Sequence, residues 1–239
     1  MKQVTSVFLF LCIAFCLPIN TTFAQSVRGS GDVIEEDRGL SGFNEIHIEN
    51  GIDVHIRQGD NESVVVKADD NLKKYIQTDV ENGKLIVHCD RVSIRKSKAF
   101  DVIVTVKEIK KIQAKQGSDV YGLTAIKMDK LKLDLSSGSD LKMEIYADIL
   151  ECELTGGSDV KISGKVKELY AEARGGSDIM AKKLETLKCE VYARGGSDAY
   201  ISVEDELNAQ AFGASDIHYY GNPKIVHAKA KGGSDIESN

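Results

Sequence analysis

Beyond residue 117, apolar and polar residues alternate in short segments that return at a nearly constant interval. Leu150-Glu151-Cys152-Glu153-Leu154, Leu169-Tyr170-Ala171-Glu172-Ala173, Leu207-Asn208-Ala209-Gln210-Ala211 and Val226-His227-Ala228-Lys229-Ala230 all have period two. That period predicts β-strands with one buried face. Each segment runs into a corner of the type Gly-Ser-Asp, and the alternation then resumes one and three places beyond the Asp, as in Leu141 and Met143, Val160 and Ile162, Ile179 and Ala181, and Ala199 and Ile201. The corner aspartates are Asp119, Asp140, Asp159, Asp178, Asp198, Asp216 and Asp235, separated by 21, 19, 19, 20, 18 and 19 residues. Each repeat thus supplies two or three short strands and no helix.

A coil of about nineteen residues cannot close a core alone, but stacked coils pair strand on equivalent strand and bury a continuous apolar column. The predicted fold is all-β: a single-stranded parallel β-helix, or solenoid, with Gly-Ser-Asp corners. A β-sandwich would not repeat one corner tripeptide, and its hairpins would turn more often than this. Ala114, Ala171, Ala173, Ala193, Ala209, Ala211, Ala228 and Ala230 fall on inward positions, which implies a narrow coil. The segment Leu187 to Arg194 reads as two residues longer than its neighbours, an even insertion that keeps the same face buried. Regular repeats are expected over residues 111–239. Residues 25–110 keep the strand character without the strict period, for instance Ile46, Ile48, Ile52, Val54 and Ile56. They are expected to cap the open end of the solenoid, where unpaired edges invite aggregation. Within them, Asp70 to Tyr75 suggests one helical turn, and Glu81-Asn82-Gly83-Lys84 a hairpin turn.

Composition adds the compartment. Lys2, the apolar run Val7 to Leu17 and the polar stretch before Phe23-Ala24-Gln25 form a secretory signal peptide over residues 1–24. The run is too short to span a bilayer, and no transmembrane segment is expected downstream. Cys12 and Cys16 follow Leu11 and Phe15 rather than small residues, which argues against lipidation. The net charge of −6, spread along the chain, gives no electrostatic case for nucleic-acid binding, which needs a basic patch or stripe. Cys89, Cys152 and Cys189 remain after cleavage. An odd number without zinc spacing reads as core thiols rather than a disulfide framework.

The corner residues have a structural and a chemical reading. Gly permits positive φ, and Ser and Asp satisfy freed backbone N–H groups. Alternatively the seven aspartates, stacked about 4.8 Å apart, form a calcium ladder; the known calcium solenoids use a nine-residue unit that is not present here. No other cofactor is indicated. His47, His55, His88, His218 and His227 lack metal-ligand spacing, and no nucleophile elbow or phosphate loop occurs. A repeated Asp with near-identical neighbours is a poor catalyst, because a paired acid and base need distinct environments. Tyr170, Tyr192, Tyr200, Tyr219 and Tyr220 are candidate stacking surfaces for sugars, or simply cover strands.

The opening Arg28-Gly29-Ser30-Gly31-Asp32-Val33, the segments Gly42-Phe43-Asn44-Glu45-Ile46 and Asn50-Gly51-Ile52-Asp53-Val54, and the Gly-Ser-Asp corners together resemble the bacterial putative auto-transporter adhesin family with the head GIN domain. The resemblance covers nearly all of the chain beyond the signal peptide. It implies a pectin-lyase-like β-helix, export to the cell surface or periplasm of a Gram-negative bacterium of the Bacteroidetes type, a role in cell adhesion, and no catalytic residues. No membrane β-barrel segment follows the repeats, so attachment to the surface is expected through another component. The function expected is a non-catalytic adhesin or cell-envelope binding module that offers a rigid face to a protein or glycan. The alternatives are a carbohydrate-active enzyme on the same scaffold, and a structural envelope protein whose copies assemble end to end as a homo-oligomer.

Overall fold

The computed structural model describes residues 26–90 and 92–239, so the signal peptide expected over residues 1–24 lies outside the described residues. The chain starts with β1 (Ser26–Arg28), β2 (Val33–Asp37), β3 (Glu45–Glu49), β4 (Asp53–Gln58) and β5 (Ser63–Asp69). A single 3-10 turn, Lys73–Tyr75, leads into β6 (Ile76–Glu81), β7 (Lys84–Cys89), β8 (Ser93–Arg95) and β9 (Phe100–Val106). The periodic part holds β10 (Lys111–Lys115), β11 (Val120–Gly122), β12 (Ile126–Ser136), β13 (Leu141–Thr155), β14 (Val160–Arg174), β15 (Ile179–Arg194), β16 (Ala199–Phe212), β17 (Ile217–Tyr220), β18 (Ile225–Lys231) and β19 (Ile236–Ser238). From β10 onward every pairing is parallel between equivalent positions of successive coils, which is the β-solenoid that the repeat predicts.

Each coil has one sharp corner and one soft bend. At the sharp corner two successive residues take left-handed φ, as in Gly156 (68°) and Gly157 (73°), and the chain redirects within two residues. Ala214 (60°) sits in one second position, where an added Cβ meets open space at the equivalent glycines. The requirement there is the backbone angle, not room. At the soft bend the buried parity switches: Leu141, Met143 and Ile145 point inward, then Leu150, Cys152 and Leu154. The interior is therefore one column of stacked Leu, Ile, Val and Ala running the length of the molecule. Each fully buried Ile or Leu in it contributes about 1.5–3 kcal/mol.

The serines line that column. Ser118, Ser139, Ser158, Ser177, Ser197 and Ser215 are completely buried. The backbone N–H of each donates to the hydroxyl of the serine in the following coil at 3.0–3.1 Å, and Ser234 closes the series. Ser118 Oγ also accepts the N–H groups of Gly51 and Ile52.

Residues 25–110 contain two coils and a cover. β3 and β4 form a coil around the corner Asn50-Gly51-Ile52-Asp53, and it stacks in parallel on β10 and β11. Its other side is covered by β7 and β9, which come later in sequence. Beyond these, pairing turns antiparallel: β6 on β7, β5 on β9 and β2 on β5. The β6–β7 hairpin turns at Asn82 and Gly83, both with positive φ. Asp69 ties this end together. Burial opposes its charge, but N–H groups of Gly31, Ala99 and Lys98 outweigh burial and hold its pKa below the usual carboxylate value.

Two expectations need correction. Leu187 to Arg194 is not longer than its neighbours, since Lys188 to Arg194 pairs residue for residue with Glu168 to Arg174. The extra length lies after the previous corner, where the register slips between Lys161 and Ser163 and again between Ala181 and Glu185. Ala228 and Ala230 keep the register of Ala209 and Ala211 yet are exposed. Among the described residues β18 pairs on one side only, so nothing covers that end of the column.

Ser177→Ala leaves the buried N–H of Ser158 without an acceptor and should lower stability by about 1–3 kcal/mol in urea denaturation. Ser234→Ala should cost less, because Ser234 reaches solvent and water can replace the hydroxyl.

Candidate functional site

The corner aspartates form the expected row, and their side chains reach in the direction opposite to the serines. The N–H groups of Asp140, Asp159, Asp178, Asp198, Asp216 and Asp235 each donate to Oδ1 of the aspartate in the preceding coil, at 2.9–3.2 Å. Two further members were not recognised in the sequence. Asp53 pairs in register with Asp101, and Val54 pairs with Val120, which puts Asp53 beside Asp119. The Gly51-Ile52-Asp53-Val54 text was the available signal, with Ile where the repeat has Ser. Neighbouring carboxylates about 4.8 Å apart repel by roughly 0.9 kcal/mol in water-like surroundings. One N–H donated to a charged oxygen is worth about 1.5–3 kcal/mol, so the hydrogen bonds hold the row against its own charge. Among the described residues no group of three or more His, Cys, Asp or Glu side chains is placed to hold a metal ion.

Two residues beyond each Asp, on the same outward face, runs a second strip. Its rungs in spatial order are Ile103, His55, Tyr121, Lys142, Lys161, Met180, Tyr200, His218 and Glu237. His55 stacks on Tyr121 with ring centroids 5.3 Å apart, and Tyr200 on His218 at 4.9 Å. Between the two stacks lies a groove of about 970 Å³. Its walls include Tyr121, Lys142, Glu144, Lys161, Met180, Lys182, Lys183 and Tyr200. The groove opens where the ladder is irregular: β11 stops at Gly122, and β15 carries the register slips around Ala181 to Glu185. Bulges of this kind commonly re-aim side chains beside functional sites.

Lysines gather in the groove. Lys130, Lys132, Lys165 and Lys167 each pair with a carboxylate of a neighbouring coil. Lys142, Lys161, Lys182 and Lys183 make no ion pair within 4.0 Å among the described residues, and Lys182 lies over the ring of Tyr220 at 3.9 Å. The groove's carboxylates are Glu144, which accepts the hydroxyl of Tyr146 at 2.8 Å, and Asp178, whose Oδ1 accepts the N–H of Asp198.

Of the tyrosines singled out in the sequence, Tyr200 and Tyr220 belong to this region and Tyr219 is half-buried against the core. Tyr170 and Tyr192 stand on another face, bonded to Glu168 and Glu190, beside a shallow acidic hollow. Tyr121 was not recognised, because the Tyr-His stacks join residues from different coils. Cys89, Cys152 and Cys189 are free and buried. Burial pushes the Cys152 thiol up to about 12, which leaves it unreactive.

Burial first, and then the adjacent aspartates, raise the carboxyl pKa of Asp140 and Asp178 despite the N–H each accepts. A carboxyl raised on folding contributes stability that is full below its unfolded pKa and is lost as pH rises through its folded pKa. Asp140→Asn/Asp178→Asn keeps both acceptor oxygens and removes both charges. Its melting temperature relative to the wild type should therefore be more favourable at pH 7 than at pH 4. The calcium ladder and the structural ladder differ in one measurement. With Oδ1 already occupied, the melting temperature should be the same in calcium and in chelator, whereas a calcium-dependent rise that the double variant loses would assign the row to the cation.

Residues 42–223 match the family model described as "putative auto-transporter adhesin, head GIN domain". No curated protein matches the chain. Among solved structures, a putative adhesin from Bacteroides fragilis is similar over 89% of this chain and 100% of its own, with TM-score 0.84 and 21% identity. A putative adhesin from Parabacteroides merdae is similar over 90% of this chain and 100% of its own, with TM-score 0.69 and 23% identity. A putative lipid binding protein from Parabacteroides distasonis covers 89% and 100%, with TM-score 0.70 and 20% identity. At these identities the structures share the fold. The family model spans most of the described coils, and by it this chain belongs to the family described as putative auto-transporter adhesin, head GIN domain.

Proposed function

We propose that this protein is a non-catalytic binding module of the cell envelope, exported through its N-terminal signal peptide, that offers one face of a rigid solenoid to a protein or glycan partner. The observation that carries this reading is the groove between the Tyr121 and Tyr200 stacks, where register slips interrupt the ladder and side chains of differing chemistry gather. Parallel coils locked by backbone ladders change shape little on binding, which keeps the ordering cost of recognition low. No helix among the described residues is long and apolar enough to cross a membrane.

The enzymatic alternative asks for two carboxylates in distinct environments flanking a scissile bond. Glu144 and Asp178 are both already engaged as hydrogen-bond acceptors, and Asp178 is a member of the repeating row. Binding without turnover is therefore expected. Residues 25–239, presented to arrayed glycans and envelope proteins, should retain specific ligands, while polysaccharides incubated with the protein release no new reducing ends or unsaturated sugars.

A second reading has its own observation. Ile225 and Val226 are 48% and 42% exposed at the uncovered coil, whereas the other end is closed by antiparallel strands. Two copies joined like to like through their β18 edges would form a closed pair rather than a filament, because the contact uses the same edge of both copies. Sedimentation should then show a concentration-dependent dimer and no larger species, abolished by Val226→Lys.

A further inference from the structure

Resting on the binding-module reading, we propose that the groove between Tyr121 and Tyr200 binds an anionic oligosaccharide, a short run of carboxylated or sulfated sugars laid along the solenoid axis. Four ladder steps separate the two tyrosines, about 19 Å at the ordinary spacing of paired strands. That length suits an oligosaccharide better than a single sugar. Both tyrosines line the groove, and each is held from behind by a histidine of the adjacent coil. The stacks hold both rings in place, and Tyr121 also donates its hydroxyl to Asp119 Oδ2 at 3.2 Å, so each ring is a fixed aromatic element at one end of the groove.

Charge selects the ligand further. Lys142, Lys161, Lys182 and Lys183 line the same groove and make no ion pair within 4.0 Å among the described residues. Four unpaired ammonium groups against the carboxylates of Glu144 and Asp178 leave a cationic strip on an acidic protein. Carboxylate or sulfate groups on the ligand would complete those lysines with charge-assisted hydrogen bonds. The Asp row along one edge gives direction, since it repels anionic groups and keeps the acidic substituents on the lysine side.

Calorimetric titration of residues 25–239 tests this, with a galacturonate hexamer and a heparin-derived hexasaccharide as anionic probes, a neutral galactose oligomer, and poly-glutamate as a charge control. At least one anionic sugar should bind, more weakly as salt rises, and more tightly than the neutral oligomer or poly-glutamate. Lys142→Gln/Lys161→Gln should weaken it by about tenfold or more, as should Tyr121→Ala, while Lys132→Gln on another face leaves it unchanged. Circular dichroism melts report whether each variant is folded. Failure of both anionic sugars to bind, equal binding of poly-glutamate, or unaltered binding by the folded groove variants would each overturn the assignment. If the groove variants still retain a ligand found on the array, this assignment falls and the binding module stands. Turnover of either probe would instead overturn the non-catalytic reading.

Discussion

Every coil depends on how the corner satisfies its backbone. Two residues in the left-handed region redirect the chain, and this leaves N–H groups that must find acceptors inside or beside the core. The corner serine's N–H donates to the serine hydroxyl of the following coil, and the corner aspartate's N–H donates to the aspartate carboxylate of the preceding coil. The two bonds run in opposite directions along the axis, so each corner is tied to both of its neighbours. Register follows from that. A slipped coil would lose a buried acceptor and also turn its apolar residues outward.

The regular ladder in turn makes the groove possible. Slips around Ala181 to Glu185 and the short β11 loosen the stack at one place, yet the corners on either side stay in step. Side chains of differing character can then accumulate there without disturbing the core. The histidine-tyrosine stacks use the same spacing, since adjacent rungs of a parallel ladder lie close to the natural separation of stacked rings.

The sequence makes the coil legible because inward position, corner and spacing all recur, and each repeat tests the others. The row from Asp119 to Asp235 could be read in this way, and so could the burial of Cys152 and Cys189. Asp53 and Asp101 could not, since their corners lack the serine and Asp101 follows a long excursion. The groove was hidden for a different reason. It is made by residues from successive coils whose individual identities carry no pattern, and by a slip that conserves the overall repeat length to within a residue or two. The end effect at Ala228 and Ala230 was likewise invisible: their alternation matches that of buried alanines, and only the absence of a covering strand sets them apart.

The path of the chain at the antiparallel end bears on how the molecule is assembled. The first coil made, β3 with β4, is second in the stack, because β7 and β9 later fold back over its outer side before β10 and β11 cover the other. A chain emerging N-terminus first therefore carries an early coil with both edges bare until β7 and β9 arrive, and with one edge still bare until β10 and β11 follow. Folding cannot advance coil by coil from the leading end. It must wait for a doubled-back segment, after which the remaining coils can add one upon another as they arrive.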